Sequence, residues 1–423
     1  MEMNNSGEKY DLITTLQYVG SSINRTEALR RYTEKKDFLN KWRFIYADES
    51  QNGPFKLRRM TFDEKCFIST IFRGNSLWII DDDVVSNTET LTFKIGMGTF
   101  LDSNAASYIR SLAYEEKPTN DVVSNCITMA KNIDFDEIKN FNPYLYLFEN
   151  QHNKSEKSIE KVRETISAVI AIEMMNKNLS LGLVWGEEFR SKYSQDAKRK
   201  ADILLSKFYT DLEIGSISKI DYLTDVMELM LIKTKLIEYG SNRSPENKFE
   251  ELMSVANSDL SMFMFRELII CADILFRSNK TQLSQKLHSL QNNKDPLSLI
   301  RNCAGDLSMV RMMDFLTNSI PDCNGSAFYV ANIVTFDKDV MDILKVTEVN
   351  AIALHKESHI IHVIFNTEIQ NWLTEKLGEK RLQRLAPLQT FNAFDSRYKN
   401  RGYSHIKQQL INDRKKLTQL LKK

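Results

Sequence analysis

The segment 94–109 constrains the fold of this chain most strongly, because an apolar, strand-like run ends there on a carboxylate and a helix follows at once. The run stops at Asp102, and Asn104 is placed to cap a helix that continues through Ile109. In parallel α/β sheets, ligand-binding groups collect where strands end and helices start. The segment therefore predicts a strand–turn–helix unit with an acidic side chain at its turn.

A second apolar run of the same kind lies far downstream. Residues Phe328–Thr335 have strand-like patterning, and the carboxylates Asp337 and Asp339 follow directly. A short helix is expected at 339–344, before further strands at 351–354 and 360–365. Two strands that each end in acidic residues predict one sheet edge at which these carboxylates meet.

The composition limits the class of protein. Charge is balanced, with 57 basic and 56 acidic residues, so no overall electric field selects the partner. The five cysteines are scattered without a Cys-x-x-Cys pair, which is typical of reduced thiols in a cytosol. Residues 1–9 lack the apolar region of a secretory signal, and the apolar segment 262–276 is too short to span a membrane. These features predict a cytoplasmic protein without a membrane partner.

Helical patterning dominates the middle of the chain, from about residue 155 to residue 291. One helix is expected to end at Gly240 and another to begin at Ser244 and Pro245, while 262–276 is apolar on nearly all sides, as in a buried helix. Strands and helices alternate on both sides of this block. The pattern favours an α/β protein with a single parallel sheet and an inserted helical block. A separate helical domain is the alternative.

Four acidic residues stand where separate elements could bring them together: Asp102, Glu149 after an aromatic-rich apolar turn, Asp306 at an expected helix N-terminus, and Asp337. Carboxylates from separate elements suit hard cations such as Mg²⁺. Two such ions could activate water and stabilise both oxygens in an in-line phosphodiester displacement. Each residue also has a structural interpretation. Asp102 and Asp306 could cap helices, Glu149 could be a solvated helix residue, and Asp337 a turn residue.

Taken in this order, the acidic residues resemble the motifs of the PIN-like nuclease family. Residues 100–104 (FLDSN) and 335–339 (TFDKD) match its first and last acidic motifs, 305–311 (GDLSMVR) looks like the third, and Glu149 is similar to the second. The resemblance implies a three-layer α/β/α sandwich with a mostly parallel sheet, here interrupted by a large α-helical insertion. It also implies Mg²⁺ or Mn²⁺ and hydrolysis of RNA or, less often, DNA.

The same resemblance implies a role for each residue of the site. The residues that would act as metal ligands and catalytic groups are Asp102, Glu149, Asp306 and Asp337. Those that would assist them or orient the attacking water are Asp339, Asn104 and Thr335.

Two positions of the site have rivals. Glu173 lies on an apolar helical face and could replace Glu149 as the second carboxylate, because an unpaired charge there would be costly to bury. Asp314 is a second-tier candidate for the place given to Asp306. The helical block also separates the second and third motifs more widely than a compact member of the family would.

The C-terminal tail is locally basic, with twelve Lys or Arg and three Asp or Glu in residues 379–423. Aromatic residues alternate with the cations, a mixture that suits phosphate contacts and base stacking. The contacts to nucleic acid predicted there are Arg397, Tyr398, Lys399, Arg401, Tyr403, Arg414, Lys415 and Lys416. A solvated terminal helix packed through its leucine residues is the alternative.

The predicted division of the chain is a mixed α/β segment (1–94), a split PIN-like core (95–150 and 300–377), a helical insertion (151–299) and a basic tail (378–423). The predicted function is metal-dependent cleavage of RNA or DNA, by analogy suited to a bacterial toxin or phage-defence effector. A non-catalytic module that binds nucleic acid or protein is the alternative. The helical insertion could also bind a protein partner or a second copy of the chain.

Overall fold

The structure, a computed structural model, describes residues 6–62, 65–87, 91–133, 138–150, 155–174, 181–215, 219–317, 326–389, 391–400 and 402–422. Within these ranges the chain is predominantly helical and forms two five-stranded β-sheets. The strands are β1 (Trp42–Asp48), β2 (Phe55–Lys56), β3 (Met60–Phe62), β4 (Cys66–Ser69), β5 (Ser76–Ile80), β6 (Ile95–Leu101), β7 (Phe141–Asn142), β8 (Phe328–Thr335), β9 (Val349–His355) and β10 (Ile361–Phe365).

The α-helices in the same ranges connect and cover the two sheets. They are α1 (Ser6–Gly20), α2 (Arg25–Glu34), α3 (Lys36–Leu39), α4 (Asp82–Ser86), α5 (Ser103–Tyr114), α6 (Asn120–Asn132), α7 (Tyr144–Asn150), α8 (Glu156–Ala171), α9 (Leu183–Glu188), α10 (Ser194–Glu213), α11 (Lys219–Gly240), α12 (Pro245–Ser258), α13 (Phe265–Phe276), α14 (Gln282–His288), α15 (Pro296–Thr317), α16 (Lys338–Val346), α17 (Thr367–Leu377), α18 (Glu379–Leu385), α19 (Phe391–Asn400) and α20 (Tyr403–Leu421).

The first sheet has the strand order β10-β9-β1-β5-β2 and is antiparallel throughout. Only residues 356–360 separate β9 from β10, and a parallel pairing of neighbouring strands needs a crossover of about a dozen residues or more. A connection of this length therefore forces a reversal. The second sheet has the order β3-β4-β8-β6-β7, in which β4 is antiparallel to both of its neighbours.

The predicted fold class is therefore wrong. A PIN-like three-layer α/β/α sandwich requires one mostly parallel sheet, whereas the strands here divide between an antiparallel sheet and a small mixed one. Several local predictions are nevertheless confirmed. Strand β8 has the predicted bounds, α11 ends at Gly240, and α12 begins at Pro245 after the N-cap position Ser244.

The parallel part of the second sheet is the element that positions the acidic residues. Strand β6 pairs in parallel with β8, from Ile95 opposite Phe328 to Leu101 opposite Val334. Because the two strands run in the same direction, both chains leave the sheet at the same edge. Helix α5 begins there after β6, and α16 begins there after β8.

Two hydrophobic cores lie on opposite faces of this sheet. Successive strand residues point to opposite faces, and Phe100 belongs to the core that contains α11, α13 and α15, whereas Leu101 belongs to the core that contains α5, α8 and α10. The helices of 151–299 therefore divide between the two faces, with α8 to α10 on one face and α11 to α14 on the other.

A buried ionic network fixes α15 against α13. The guanidinium of Arg266, which is fully buried, donates to Asp314 Oδ1 at 2.6 Å and to the Thr347 carbonyl oxygen at 2.8 Å. Arg311 lies 3.1 Å from the other oxygen of Asp314 and also pairs with Glu267. Every carboxylate in this network has a cationic partner, which is the condition under which buried charges are tolerated.

We expect Arg266→Ala to lower the free energy of unfolding by about 3–5 kcal/mol, because it leaves Asp314 buried with a weakened set of partners. Denaturant unfolding followed by circular dichroism measures this loss. The double variant Arg266→Met with Asp314→Met removes both charges and should recover part of it. A loss below about 1 kcal/mol in the single variant would show that the network does not anchor α15.

Candidate functional site

Asp102 lies at the end of β6 and is almost fully buried. Its Oδ1 accepts a hydrogen bond from the Ala105 backbone N–H at 2.6 Å, so Asp102 caps α5. Asn104, the predicted cap, is instead an exposed residue inside the helix. Burial raises the pKa of Asp102 to about 6, and the negative charge of Asp337 acts in the same direction.

Thr335 joins the ends of the two parallel strands. Its hydroxyl donates a hydrogen bond to Asp102 Oδ2 and accepts one from the Asp337 backbone N–H at 2.9 Å. Asp337 in turn caps α16, because its Oδ1 accepts from the Asp339 backbone N–H at 2.8 Å. The predicted supporting residue Thr335 therefore lies directly between the first and last acidic motifs.

Asp306 lies near the middle of α15, so its prediction as a helix N-terminus is wrong. The helix begins ten residues earlier at Pro296, where Asp295 accepts the Ser298 backbone N–H at 3.1 Å. Helix α15 packs against β8, α16 and α7, and it thereby brings Asp306 to the end of the parallel strands.

Asp306 is half-buried, and the surroundings of its carboxylate are dominated by desolvation and by negative charge. Burial raises the pKa of Asp306 well above its ordinary value, and the charges of Asp337, Asp339 and Glu149 raise it further. No side chain or backbone group of the described ranges donates a hydrogen bond to this carboxylate. Such a group is costly to keep ionised unless a cation shares the site.

Glu149 reaches the same cluster from α7. Its Oε2 accepts hydrogen bonds from the backbone N–H of Ser103, at 3.1 Å, and from the Ser103 hydroxyl. Glu149 as a whole residue is exposed to solvent, but desolvation around its carboxylate and the charges of Asp102 and Asp337 raise its pKa to about 8. Ser103 was not predicted, although its place between Asp102 and Asn104 could have indicated a role.

The rival carboxylates do not belong to this cluster. Glu173 is exposed, and its only ion pair in the described part of the chain is with Lys200 at 3.9 Å. Asp314 is neutralised by Arg266 and Arg311. The structure therefore brings together the four acids named first, from β6, α7, α15 and the start of α16.

Asp339 adds a fifth carboxylate and a cation. It is 1% exposed, its Oδ2 pairs with the Lys286 ammonium, and its Oδ1 is buried without a hydrogen-bond partner. Lys286, on α14, was missed in the sequence, because nothing in the local pattern around it points to a site. Its charge opposes the mutual repulsion of the carboxylates.

The acidic cluster is not a finished set of metal ligands. Among the described residues, no three His, Cys, Asp or Glu side chains are grouped closely enough to hold an ion as they stand. Several carboxylate oxygens already have partners: Thr335 on Asp102, Ser103 on Glu149 and Lys286 on Asp339. A bound cation would have to share or replace these partners.

Half of the predicted nucleic-acid contacts are tied into the fold. Arg397 is buried and donates to Asn257, Tyr403 donates to Asp225 at 3.1 Å, Arg414 pairs with the buried Glu228, and Lys416 pairs with Asp413. At these four positions the contacts agree better with the alternative interpretation, a terminal helix packed on the rest of the protein, than with contacts to nucleic acid. Lys416 is nevertheless exposed, as are Tyr398, Lys415 and Lys399, the last of which pairs with Asp395 at 2.6 Å, while Arg401 lies outside the described residues.

No family model, curated protein or solved structure matches this chain. Within the ranges that the structure describes, no helix combines the length and the apolar character needed to cross a bilayer. The resemblance to PIN-like nucleases therefore rests on the acidic motifs alone and stays a prediction.

We expect Asp306→Asn to stabilise the metal-free protein, because it removes a charge that is repelled by Asp337 and Asp339. A carboxyl group whose pKa is higher in the folded state than in the unfolded state loses stability as pH rises above about 4. The gain should therefore be larger at pH 8, about 1 kcal/mol or more, than at pH 5. Thermal unfolding in the presence of a chelator at both pH values measures it.

The matched control for this experiment is Asp314→Asn on the same helix. Asp314 is paired with two arginines, so this substitution should destabilise the protein at both pH values. Equal destabilisation by the two variants would contradict the crowding of negative charge around Asp306.

We expect Arg414→Ala to lower the free energy of unfolding by about 1–3 kcal/mol, because Glu228 is fully buried and would keep only Arg301 as a partner. Lys415→Ala, one residue further along α20, removes an exposed charge and should leave stability unchanged. Chemical denaturation of the two variants separates a structural role from a surface role for these cations.

Proposed function

We propose that the chain is a divalent-cation-dependent nuclease that hydrolyses phosphodiester bonds in RNA or DNA. The observation that carries the proposal is the convergence of Asp102, Glu149, Asp306 and Asp337 at the edge where β6 and β8 end. Each of the first three has a raised pKa to which the charge of another acid in the group contributes.

The donor chemistry of these residues fits a hard cation. All the candidate ligands are carboxylate oxygens, which Mg²⁺ and Mn²⁺ prefer. The Asp306 carboxylate has no hydrogen-bond donor in the described residues, and Asp339 keeps one buried oxygen without a partner. Such oxygens gain more from a cation than oxygens that are already satisfied. The residues that would hold it are Asp102, Glu149, Asp306 and Asp337, with Asp339 assisting them.

A bound divalent cation supplies a Lewis acid that polarises a phosphate group and makes water a better nucleophile at neutral pH. The chain's own residues supply position and charge. Thr335 fixes the Asp102 carboxylate, and Ser103 fixes that of Glu149. The N-termini of α5 and α16 face the same edge, and their partial positive charge favours a phosphate there.

Exposed side chains at the site, and others in the tail, are candidates for contact with a substrate. Asn104 lies in the first turn of α5 and is exposed, so it could contact a nucleotide next to the scissile bond. Tyr398, Lys399 and Lys415 of the tail keep exposed side chains suited to stacking and phosphate contact. A cytoplasmic location and a role as a toxin or phage-defence effector stay predictions.

The test is cleavage of labelled RNA and single- and double-stranded DNA with Mg²⁺ or Mn²⁺. Asp102→Asn can keep the capping hydrogen bond from Ala105, although its NH2 group cannot accept those that Thr335 and the Phe336 N–H donate, and it removes the negative charge from the centre of the site, so circular dichroism must show that the variant is folded. We expect cleavage to fall by more than the roughly 10–100-fold typical of residues that only support a metal ligand. We expect Asp337→Asn to lower the rate of cleavage to a similar extent.

Glu173→Gln is the matched control, because it removes an exposed carboxylate outside the cluster and should leave the rate unchanged. Retained cleavage in Asp102→Asn would contradict the proposed site. Binding of nucleic acid without cleavage by the unmodified protein would favour a non-catalytic module, an outcome that agrees with the partners already present on Asp102, Glu149 and Asp339.

A further inference from the structure

Lys286 brings a positive charge to the acidic cluster from a separate, rigid element. It lies on α14, where Leu283 and Leu287 are fully buried and Thr281 caps the helix by accepting the Ser284 backbone N–H. The carboxylate of Asp273, on α13, accepts the backbone N–H and the hydroxyl of Thr281. The backbone that carries Lys286 is therefore held in place without help from the carboxylates of the acidic cluster.

The ammonium group of Lys286 lies among three carboxylates of the site. It pairs with Asp339 Oδ2 and also interacts electrostatically with the carboxylates of Asp337 and Asp306. Asp339 itself is 1% exposed, and its other oxygen has no partner. A buried carboxylate with one unsatisfied oxygen, next to Asp337 and Asp306, points to a position that accepts more positive charge than one lysine supplies.

We propose that Lys286 is the built-in counter-cation of the acidic site and that a divalent cation must displace its ammonium group from Asp339 in order to bind. This inference rests on the metal site of the proposed function. It gives a reason why the described residues contain no finished set of metal ligands. The ammonium group of Lys286 already occupies one oxygen of Asp339, and a cation would have to replace it there.

The geometry of the lysine allows such a displacement. Its side chain is 48% exposed, although the carboxylate it contacts is buried. A lysine has a flexible four-carbon stem and a strongly hydrated ammonium group, so the released charge can move into water while α14 stays in place. Once released, it would lie beside the site, where a phosphate group of the substrate would find a cation.

The test is titration of the full-length, chelator-treated protein with Mn²⁺ by calorimetry. Lys286→Gln keeps a hydrogen-bond donor for Asp339 but removes the competing charge, and we expect it to bind Mn²⁺ about tenfold more tightly than the unmodified protein. Lys280→Met is the control for net charge, since Lys280 lies over the Trp372 ring, 4.9 Å from its centre. Its affinity should equal that of the unmodified protein.

Thermal unfolding without metal gives a second readout. Lys286→Met leaves Asp339 without a partner and should lower the melting temperature, and added Mn²⁺ should restore more of it than in the unmodified protein. In an Asp339→Asn background the same substitution should have little effect. If Lys286→Met does not fold, the Lys286→Gln titration decides alone.

The outcomes separate this inference from the proposed function. Equal or weaker Mn²⁺ binding by Lys286→Gln overturns the counter-cation role, while the nuclease stands if cleavage still depends on Asp102. Tighter binding by Lys286→Gln in a protein that cleaves no nucleic acid supports the counter-cation role and overturns the nuclease. No Mn²⁺ binding by any variant overturns both.

Discussion

The parallel pairing of β6 with β8 is the constraint on which the acidic site depends. Because Leu101 lies opposite Val334, both chains leave the sheet at one edge, where the Thr335 hydroxyl connects Asp102 with the backbone of Asp337. Helices α5 and α16 begin at that edge, and α7 and α15 add their carboxylates from the side. A slip of either strand by one residue would turn its side chains to the opposite face, and the contacts between Asp102, Thr335 and Asp337 would be lost.

Concentrating carboxylates at one edge has an electrostatic cost, and the chain offsets it with several local devices. Asp102 and Asp337 each accept backbone N–H groups at a helix N-terminus, which favours negative charge there. Ser103 and Lys286 supply further donors to Glu149 and Asp339. Burial of the carboxylates, to which the remaining repulsion adds, is the reason that several of their pKa values are raised. The proposed function and stability would therefore act against each other at this edge, as is common at sites that bind charged ligands.

Much of the local structure could be predicted from the sequence, whereas the assembly could not. Patterning predicted β8, and cap residues predicted the end of α11 and the start of α12, because these signals lie within a few residues. Strand pairing depends on distant partners, so the antiparallel first sheet was missed. Asp306 was misplaced because its own turn-like surroundings outweighed the start signal at Pro296. Lys286 reaches the site through tertiary packing alone, so no local sequence pattern could predict its place there.

The order of the strands has a consequence for how the protein is made. Strand β6 ends at residue 101, but its central partner β8 begins only at residue 328. Contacts between such distant positions form late and slowly. A nascent chain therefore carries Asp102 and Glu149 long before Asp306 and Asp337 emerge from the ribosome, and a truncated product lacks half of the cluster. If the site does cut nucleic acid, its chain order keeps it inert until the segment that contains Asp337 has been made.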